Sequence, residues 1–221
     1  MSGSLAPLFI EMHKDDIEYG KVLVTGEIAF YMQHPKGRLI TPKAKTEFLK
    51  KWISRRIKKK TDNSAVRRYL KEVRSSKFLN LNWDKALDHY TDYVSCCKAY
   101  RKLGMTDRKL MNCAMEQLKV EGFIVKENVE LGEEFSPEEA KIDRDRGSFI
   151  MMREVNELFD GERVPDGTFL KILVTSKELT IRATQVLEKF CFPIQYTSRN
   201  EILALRSAEQ QIDMVLKMVD A

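Results

Sequence analysis

Residues 41–60 read TPKAKTEFLKKWISRRIKKK, and this stretch sets the expected fold for the middle of the chain. Thr41 suits the N-cap of a helix, and Pro42 suits its first position. Apolar side chains recur at steps of three and four residues between Phe48 and Ile57, as on one face of an amphipathic helix. The opposite face carries Lys and Arg. We interpret Trp52 as a core anchor rather than a base-stacking side chain, because buried aromatics dominate core energetics.

Three more helices are expected after this one. Asn63 or Ser64 can cap the second, whose apolar stripe runs from Val66 to Val73. A break is expected at residues 80–82, followed by a longer helix that Gly104 ends. A fourth helix runs from a Thr106 cap to Gly122, and residues 123–125 are expected to form a strand.

The segment before this helical middle is expected to be a small antiparallel sheet. Apolar and polar residues alternate around residues 8–13, which is the period of a half-buried strand. Residues 21–32 are rich in Val, Ile, Phe and Tyr, and Gly20 and Gly26 are interpreted as punctuation between strands. Residues 34–37 form a suitable turn.

The C-terminal part is expected to contain a compact unit of β-α-β-β-α order over residues 169–219. Ser207 and Gln210 match a capping box for its last helix. The predicted fold class is therefore α+β, with an N-terminal sheet, a basic helical middle and a C-terminal βαββα unit. The predicted domains are residues 1–125, an acidic linker or loop at 126–147, and an α/β association domain at 148–221.

Charge is distributed unevenly along the chain. Residues 36–77 hold sixteen Lys and Arg against three acidic residues, a net charge of +13, whereas the rest of the chain has a net charge of −8. Such a basic region attracts polyanions, of which the phosphate backbone is the commonest in a cell. We therefore expect a non-enzymatic nucleic-acid-binding protein, such as a regulator, a replication accessory protein or a packaging factor. DNA and RNA remain equally open.

Two alternatives follow from the same charge pattern. Residues 55–60 could act as a nuclear address. A structural or assembly protein, as in a virus, could instead dock an acidic partner through this region. The candidate nucleic-acid contacts in the basic region are Lys43, Lys45, Lys50, Lys51, Arg55, Arg56, Lys58, Lys59, Lys60, Arg67, Arg68, Lys71 and Arg74.

A family resemblance adds further candidates. Leu103-Gly-Met-Thr106, followed by Leu118-Lys-Val-Glu-Gly-Phe-Ile124, resembles the helix-turn-helix and first wing strand of winged-helix DNA-binding regulators. The resemblance covers residues 83–125. It implies that the helix after the turn enters the major groove. The residues that it would place against DNA are Thr106, Arg108, Lys109 and Asn112.

Little in the sequence suggests catalysis or a bound cofactor. Four cysteines without a CxxC pair are expected to be reduced thiols, packed mostly as small hydrophobic residues. Three widely spaced histidines are expected to be structural or at the surface. Acidic residues around Asp143 and Asp145 are the candidates for holding Mg²⁺. Without a long apolar run or a basic leader, we expect an intracellular protein, cytoplasmic or nuclear, that self-associates through residues 148–221 and avoids membranes.

Overall fold

A computed structural model describes residues 13–34, 41–129, 148–152, 161–164, 169–171, 177–196 and 202–221. These described residues divide into two compact units. The first lies within Met1–Cys96 together with Val215–Ala221, and the second lies within Cys97–Met214. Most of the described residues belong to helices, so the expected α+β fold class is wrong and the chain is mostly helical.

The largest correction concerns the expected N-terminal sheet, because the first helix, α1, spans Lys14–Gln33. His13 is the N-cap of this helix, and its N–H donates to Asp16 Oδ2 at 2.9 Å. Buried residues of α1 follow helical spacing, with Ile17, Leu23 and Phe30 almost fully enclosed. The aromatic and β-branched content of residues 21–32 favoured a strand, but packing on one helical face overrides that preference. Residues 5–12 and 35–40 of the expected sheet lie outside the described residues.

The glycines of α1 are contact points rather than turns. A Cβ atom on Gly20 would lie 2.1 Å from Cδ2 of Tyr90, and one on Gly26 would lie 2.7 Å from Cη2 of Trp83. Real Cβ atoms do not approach other atoms this closely. Each glycine therefore allows a bulky aromatic ring to pack directly on the backbone of α1.

The helices expected after α1 are present. Helix α2 spans Pro42–Lys59, and its Thr41 cap accepts the Ala44 N–H at 3.2 Å. Helix α3 spans Ser64–Ser75, and Asn63 Oδ1 accepts the Val66 N–H at 2.9 Å. Both N-caps were predicted from the sequence and are confirmed.

Helix α4 spans Leu79–Lys102, so the expected break at residues 80–82 is wrong. The amide of Asn80 donates to the Pro42 carbonyl at 2.8 Å, and the amide of Asn82 donates to Ser76 Oγ at 2.9 Å. These partners engage the two amide NH₂ groups, which would otherwise compete with the helix backbone. Gly104, at φ 59°, follows the end of α4, as the sequence predicts.

The core of the first unit is built from α1 to α4. Trp83 is fully buried and packs with Leu23, Leu49, Ile53 and Leu70. Trp52 meets Trp83 edge to face, with ring centroids 6.0 Å apart. The interpretation of Trp52 as a core anchor is therefore confirmed.

In the second unit, α5 spans Asp107–Val120 and begins at the predicted Thr106 cap, whose Oγ1 accepts the Lys109 N–H. Strand β1, Ile124–Val129, pairs in parallel with β2, Ser148–Met152. Strands β3, Phe169–Lys171, and β4, Ile194–Tyr196, both pair antiparallel with β5, Ile202–Leu205. Helix α6 spans Lys177–Lys189. The next helix, α7, spans Ala208–Asp220, begins with the Gln210 N–H bonded to Ser207 Oγ, and belongs to the second unit only as far as Met214. Of the predicted acidic linker, residues 126–129 belong to β1 and the rest lies outside the described residues.

Candidate nucleic-acid interface

The surface of α2 opposite the core carries a row of cations. Leu49 and Ile53 are fully buried and fix the rotation of the helix about its axis. The opposite face is exposed at Lys43, Lys50, Lys51, Arg55 and Lys58. At about 1.5 Å per residue, the row from Lys43 to Lys58 extends over roughly 22 Å. This length matches several successive phosphates of one nucleic-acid strand.

A second row lies on α3. Val66, Leu70 and Val73 are buried, whereas Lys71 and Arg74 are exposed and Arg67 is half-buried. Arg67, Lys71 and Arg74 are spaced by four and three residues, so they lie on one side of the helix.

One hydrogen bond joins the two rows. The Arg74 guanidinium donates from Nη1 to Ser54 Oγ at 3.1 Å, and Ser54 lies on the exposed face of α2 between Lys50, Lys51, Arg55 and Lys58. The basic rows of α2 and α3 therefore form one surface. We call it the α2–α3 basic face, and its members are Lys43, Lys50, Lys51, Arg55, Lys58, Arg67, Lys71 and Arg74.

Acidic residues neutralise little of this face. Asp62 is bound to Arg56, and the Glu72 carboxylate lies 4.0 Å from Arg68 Nε. Glu47 is the remaining acid of the basic region and is exposed on α2. No described residue forms an ion pair with Lys50, Lys51, Arg55, Lys58 or Lys71. These cations are therefore available to an external anion.

Lys45 has a structural role instead. Its Nζ lies 2.7 Å from Glu27 Oε1 and 2.8 Å from Asp84 Oδ1, and its side chain is largely buried. Burial alone would lower the pKa of Lys45, but the carboxylates of Asp84 and Glu27 more than offset that cost and raise it above its usual value. Trp83 Nε1 also donates to Glu27. Lys45 therefore contributes to the interior of the first unit.

Arg56 is also committed within the chain. Its Nε and Nη2 both donate to the Asp62 carboxylate, and its guanidinium lies 5.4 Å from the ring centroid of Trp52. This pairing closes the turn between α2 and α3. Arg68 packs over Tyr69 at 5.3 Å and remains exposed.

Three lysines cluster where α2 ends. Lys58, Lys59 and Lys60 are exposed, and Lys60 adopts a left-handed backbone conformation at φ 54°. Cations at a helix C-terminus are stabilised by the helix dipole, which gives this cluster a structural contribution as well.

The residues that the winged-helix resemblance assigns to DNA divide into two pairs. Thr106 Oγ1 donates to Glu162 Oε2 at 2.7 Å, and the Arg108 guanidinium donates to the Gly161 carbonyl at 3.0 Å. Lys109 and Asn112 are exposed. Strands β1 and β2 pair in parallel, whereas the two strands of a wing form an antiparallel hairpin. The winged-helix assignment stays a prediction. Lys109 and Asn112 are exposed, whereas Thr106 and Arg108 would have to give up the hydrogen bonds described above in order to contact DNA.

Asp107 is a buried polar residue that sequence reasoning missed. Its side chain is fully buried, and its two oxygens accept the Val164 and Glu209 N–H groups, each at 2.8 Å. Glu209 Oε1 in turn accepts the Asp107 N–H at 3.2 Å. The only sequence signal was an acid in the first turn of a helix, which does not identify partners 57 and 102 residues away.

The histidines show no metal-site geometry. His34 Nδ1 lies 3.0 Å from the Phe30 carbonyl, and burial lowers the pKa of His89 although Asp92 opposes that shift. Within the described ranges, no three potential ligands are grouped closely enough to hold a metal ion. The acidic residues around Asp143 lie outside those ranges. Among the helices that the structure describes, none has both the length and the apolar content needed to cross a membrane.

The sequence matches no protein-family model, and neither a curated protein nor a solved structure matches the chain significantly.

Proposed function

We propose that the protein binds nucleic acid by contacting phosphates through the α2–α3 basic face. The observation that carries the proposal is the Arg74–Ser54 hydrogen bond, which joins two rows of exposed cations into one surface. Lys and Arg spaced along a surface of this length neutralise several phosphates at once and release the counterions condensed on them. Such binding depends strongly on salt and weakly on sequence.

The predicted set divides into residues that we propose to bind nucleic acid and residues whose contacts lie within the chain. Lys50, Arg55 and Lys58 are exposed and lack described acidic partners, whereas Lys45 and Arg56 hold carboxylates of the first unit. A test of binding must therefore leave Lys45 and Arg56 unchanged. Otherwise a loss of affinity would be confused with a loss of folding.

We expect the triple change Lys50→Glu, Arg55→Glu and Lys58→Glu to weaken binding to labelled duplex DNA, single-stranded DNA and RNA by at least about 100-fold near physiological salt. The slope of log affinity against log salt should fall by roughly three, because three phosphate contacts are lost. Fluorescence anisotropy across a salt series measures both quantities. The preferred oligonucleotide then assigns the class of target.

The matched control reverses the charge of three exposed lysines on α4, through Lys85→Glu, Lys98→Glu and Lys102→Glu. It changes the net charge by the same amount, so it should retain most of the affinity if the α2–α3 basic face is the site. Equal losses in both variants would mean that overall charge, rather than this face, causes binding. If the unaltered protein binds none of the three oligonucleotides at low salt, the proposed function is wrong.

A further inference from the structure

Two buried cysteines of the second unit lie in contact. Cys97 is on α4 and Cys191 follows α6, and their sulfur atoms are 3.8 Å apart. Cys97 is 0% exposed and Cys191 is 1% exposed. By contrast, Cys113 is exposed and Cys96 is half-buried. The Cys97 and Cys191 thiols are thus enclosed, whereas the other two are more accessible.

The backbone at Cys191 gives a second, independent observation. Cys191 has φ 65°, a left-handed conformation in which glycine is favoured and other side chains are strained. It lies where α6 ends, with its N–H bonded to the Glu188 carbonyl at 2.8 Å and the Phe192 N–H bonded to the Leu187 carbonyl. Glycine is the usual residue at this position of a helix end. A cysteine there is strained, and its side chain reaches the other buried thiol.

Neighbouring contacts hold the two segments together around the thiols. The rings of Tyr100 and Phe190 are stacked with centroids 6.3 Å apart, and the Tyr100 hydroxyl donates to the Lys189 carbonyl at 3.4 Å. The sulfur atoms need to approach by somewhat less than 2 Å to reach bonding distance, which is about 2.05 Å.

We propose that Cys97 and Cys191 form a reversible dithiol–disulfide site that responds to small-molecule disulfides such as oxidised glutathione. One thiolate of the pair attacks a sulfur of oxidised glutathione, forms a mixed disulfide and expels one glutathione thiolate. The second thiolate then attacks the protein sulfur of that mixed disulfide and expels the second glutathione. The protein loses two hydrogen atoms, and the oxidant is reduced to two glutathione molecules.

Burial sets the kinetics of this exchange. Because both thiols are enclosed, the oxidant reaches them when the α4–α6 contact opens locally. Oxidation of the pair should therefore be slower than modification of the exposed Cys113, and mild denaturant should accelerate it. Once formed, the link closes a loop of 94 residues in sequence. It should raise the thermal midpoint of the second unit by roughly 5–10 °C.

The experiment uses the full chain with Cys96→Ser and Cys113→Ser, so that only the pair remains. The protein is equilibrated over a series of reduced to oxidised glutathione ratios in mild denaturant, quenched with acid, digested and analysed by mass spectrometry. We expect a peptide linked through Cys97 and Cys191 that disappears on reduction. Glutathione adducts without that linked peptide, or unmodified thiols at the most oxidising ratio, would overturn the proposal.

A folded control tests whether the effect needs both sulfurs. Cys191→Gly suits the left-handed backbone at this position, so this variant should fold. It should carry a glutathione adduct at Cys97 at most, and its thermal midpoint should not rise on oxidation. A rise in this variant equal to that of the pair would assign the stabilisation to another cause and contradict the proposal.

Discussion

Gly20→Ala should destabilise the first unit by about 3 kcal/mol, although alanine normally stabilises a helix relative to glycine by about 1 kcal/mol. The sign is reversed because the added methyl group would lie 2.1 Å from the ring of Tyr90, which is itself buried. Either the ring or α1 must move, and both are held by the surrounding core. Both tryptophans, Trp52 and Trp83, lie in the first unit. Urea unfolding followed by tryptophan fluorescence therefore measures the loss of stability of the first unit.

A double-mutant cycle identifies the cause. In a Tyr90→Ala background the methyl group has space, so Gly20→Ala should be neutral or slightly stabilising. Thr25→Ala is the control on the same helix, since Thr25 is exposed, and it should change the free energy of unfolding by less than about 0.5 kcal/mol. An equal loss on Gly20→Ala with and without the tyrosine ring would show that steric contact with Tyr90 is not responsible.

Asp107→Ala should cost the second unit about 3 kcal/mol, because it leaves the buried N–H groups of Val164 and Glu209 without an acceptor. Asp107→Asn keeps one oxygen but turns the other position into a donor, so its effect should be intermediate. Hydrogen exchange followed by mass spectrometry measures the result. Exchange should accelerate in peptides that contain Val164 and Glu209, whereas peptides from α1 to α3 keep their protection.

The control for this prediction is Glu116→Ala on the same helix. Glu116 is exposed and pairs with Lys119 at the surface, and such pairs contribute little to stability. Removing it should leave exchange at Val164 and Glu209 unchanged. If Asp107→Ala behaves like Glu116→Ala, the buried carboxylate does not hold these segments together.

Local signals predicted the helical middle of the chain well. Thr41, Asn63 and Thr106 each accept the backbone N–H of the residue three positions ahead, so the sequence around each of them contains the whole interaction. The apolar spacing of α2 and α3 likewise identifies their buried faces without reference to the rest of the chain.

The failures share a different cause, which is contact with distant residues. In the sequence, Gly20 and Gly26 look like residues that separate strands. Their actual role is to contact Tyr90 and Trp83, which lie about 60 to 70 residues further along the chain. In the sequence, Asn80 looks like a helix breaker, but in the structure its amide donates to the carbonyl of Pro42, a residue far away in sequence. No pattern within a short window contains these partners.

The candidate interface shows the same division. Charge density and helical spacing were sufficient to indicate an exposed cationic face on α2 and α3. They could not reveal that Lys45 is held by Glu27 and Asp84. Nor could they reveal that Thr106 and Arg108 bind residues 161–162. Charge predicts a surface, whereas the choice between an internal and an external partner depends on the tertiary structure.

The first unit is discontinuous in sequence, since Val215–Ala221 joins residues that precede Cys97. Lys21 Nζ donates to the Met218 carbonyl at 3.0 Å, across 197 positions of the chain. During synthesis, α1 to α3 leave the ribosome more than one hundred residues before this last segment is made. At about 5–20 residues per second, the growing chain must hold these helices for several seconds before their final contacts are available. A ribosome that stalls within that interval would present an incompletely closed helical core to chaperones and proteases.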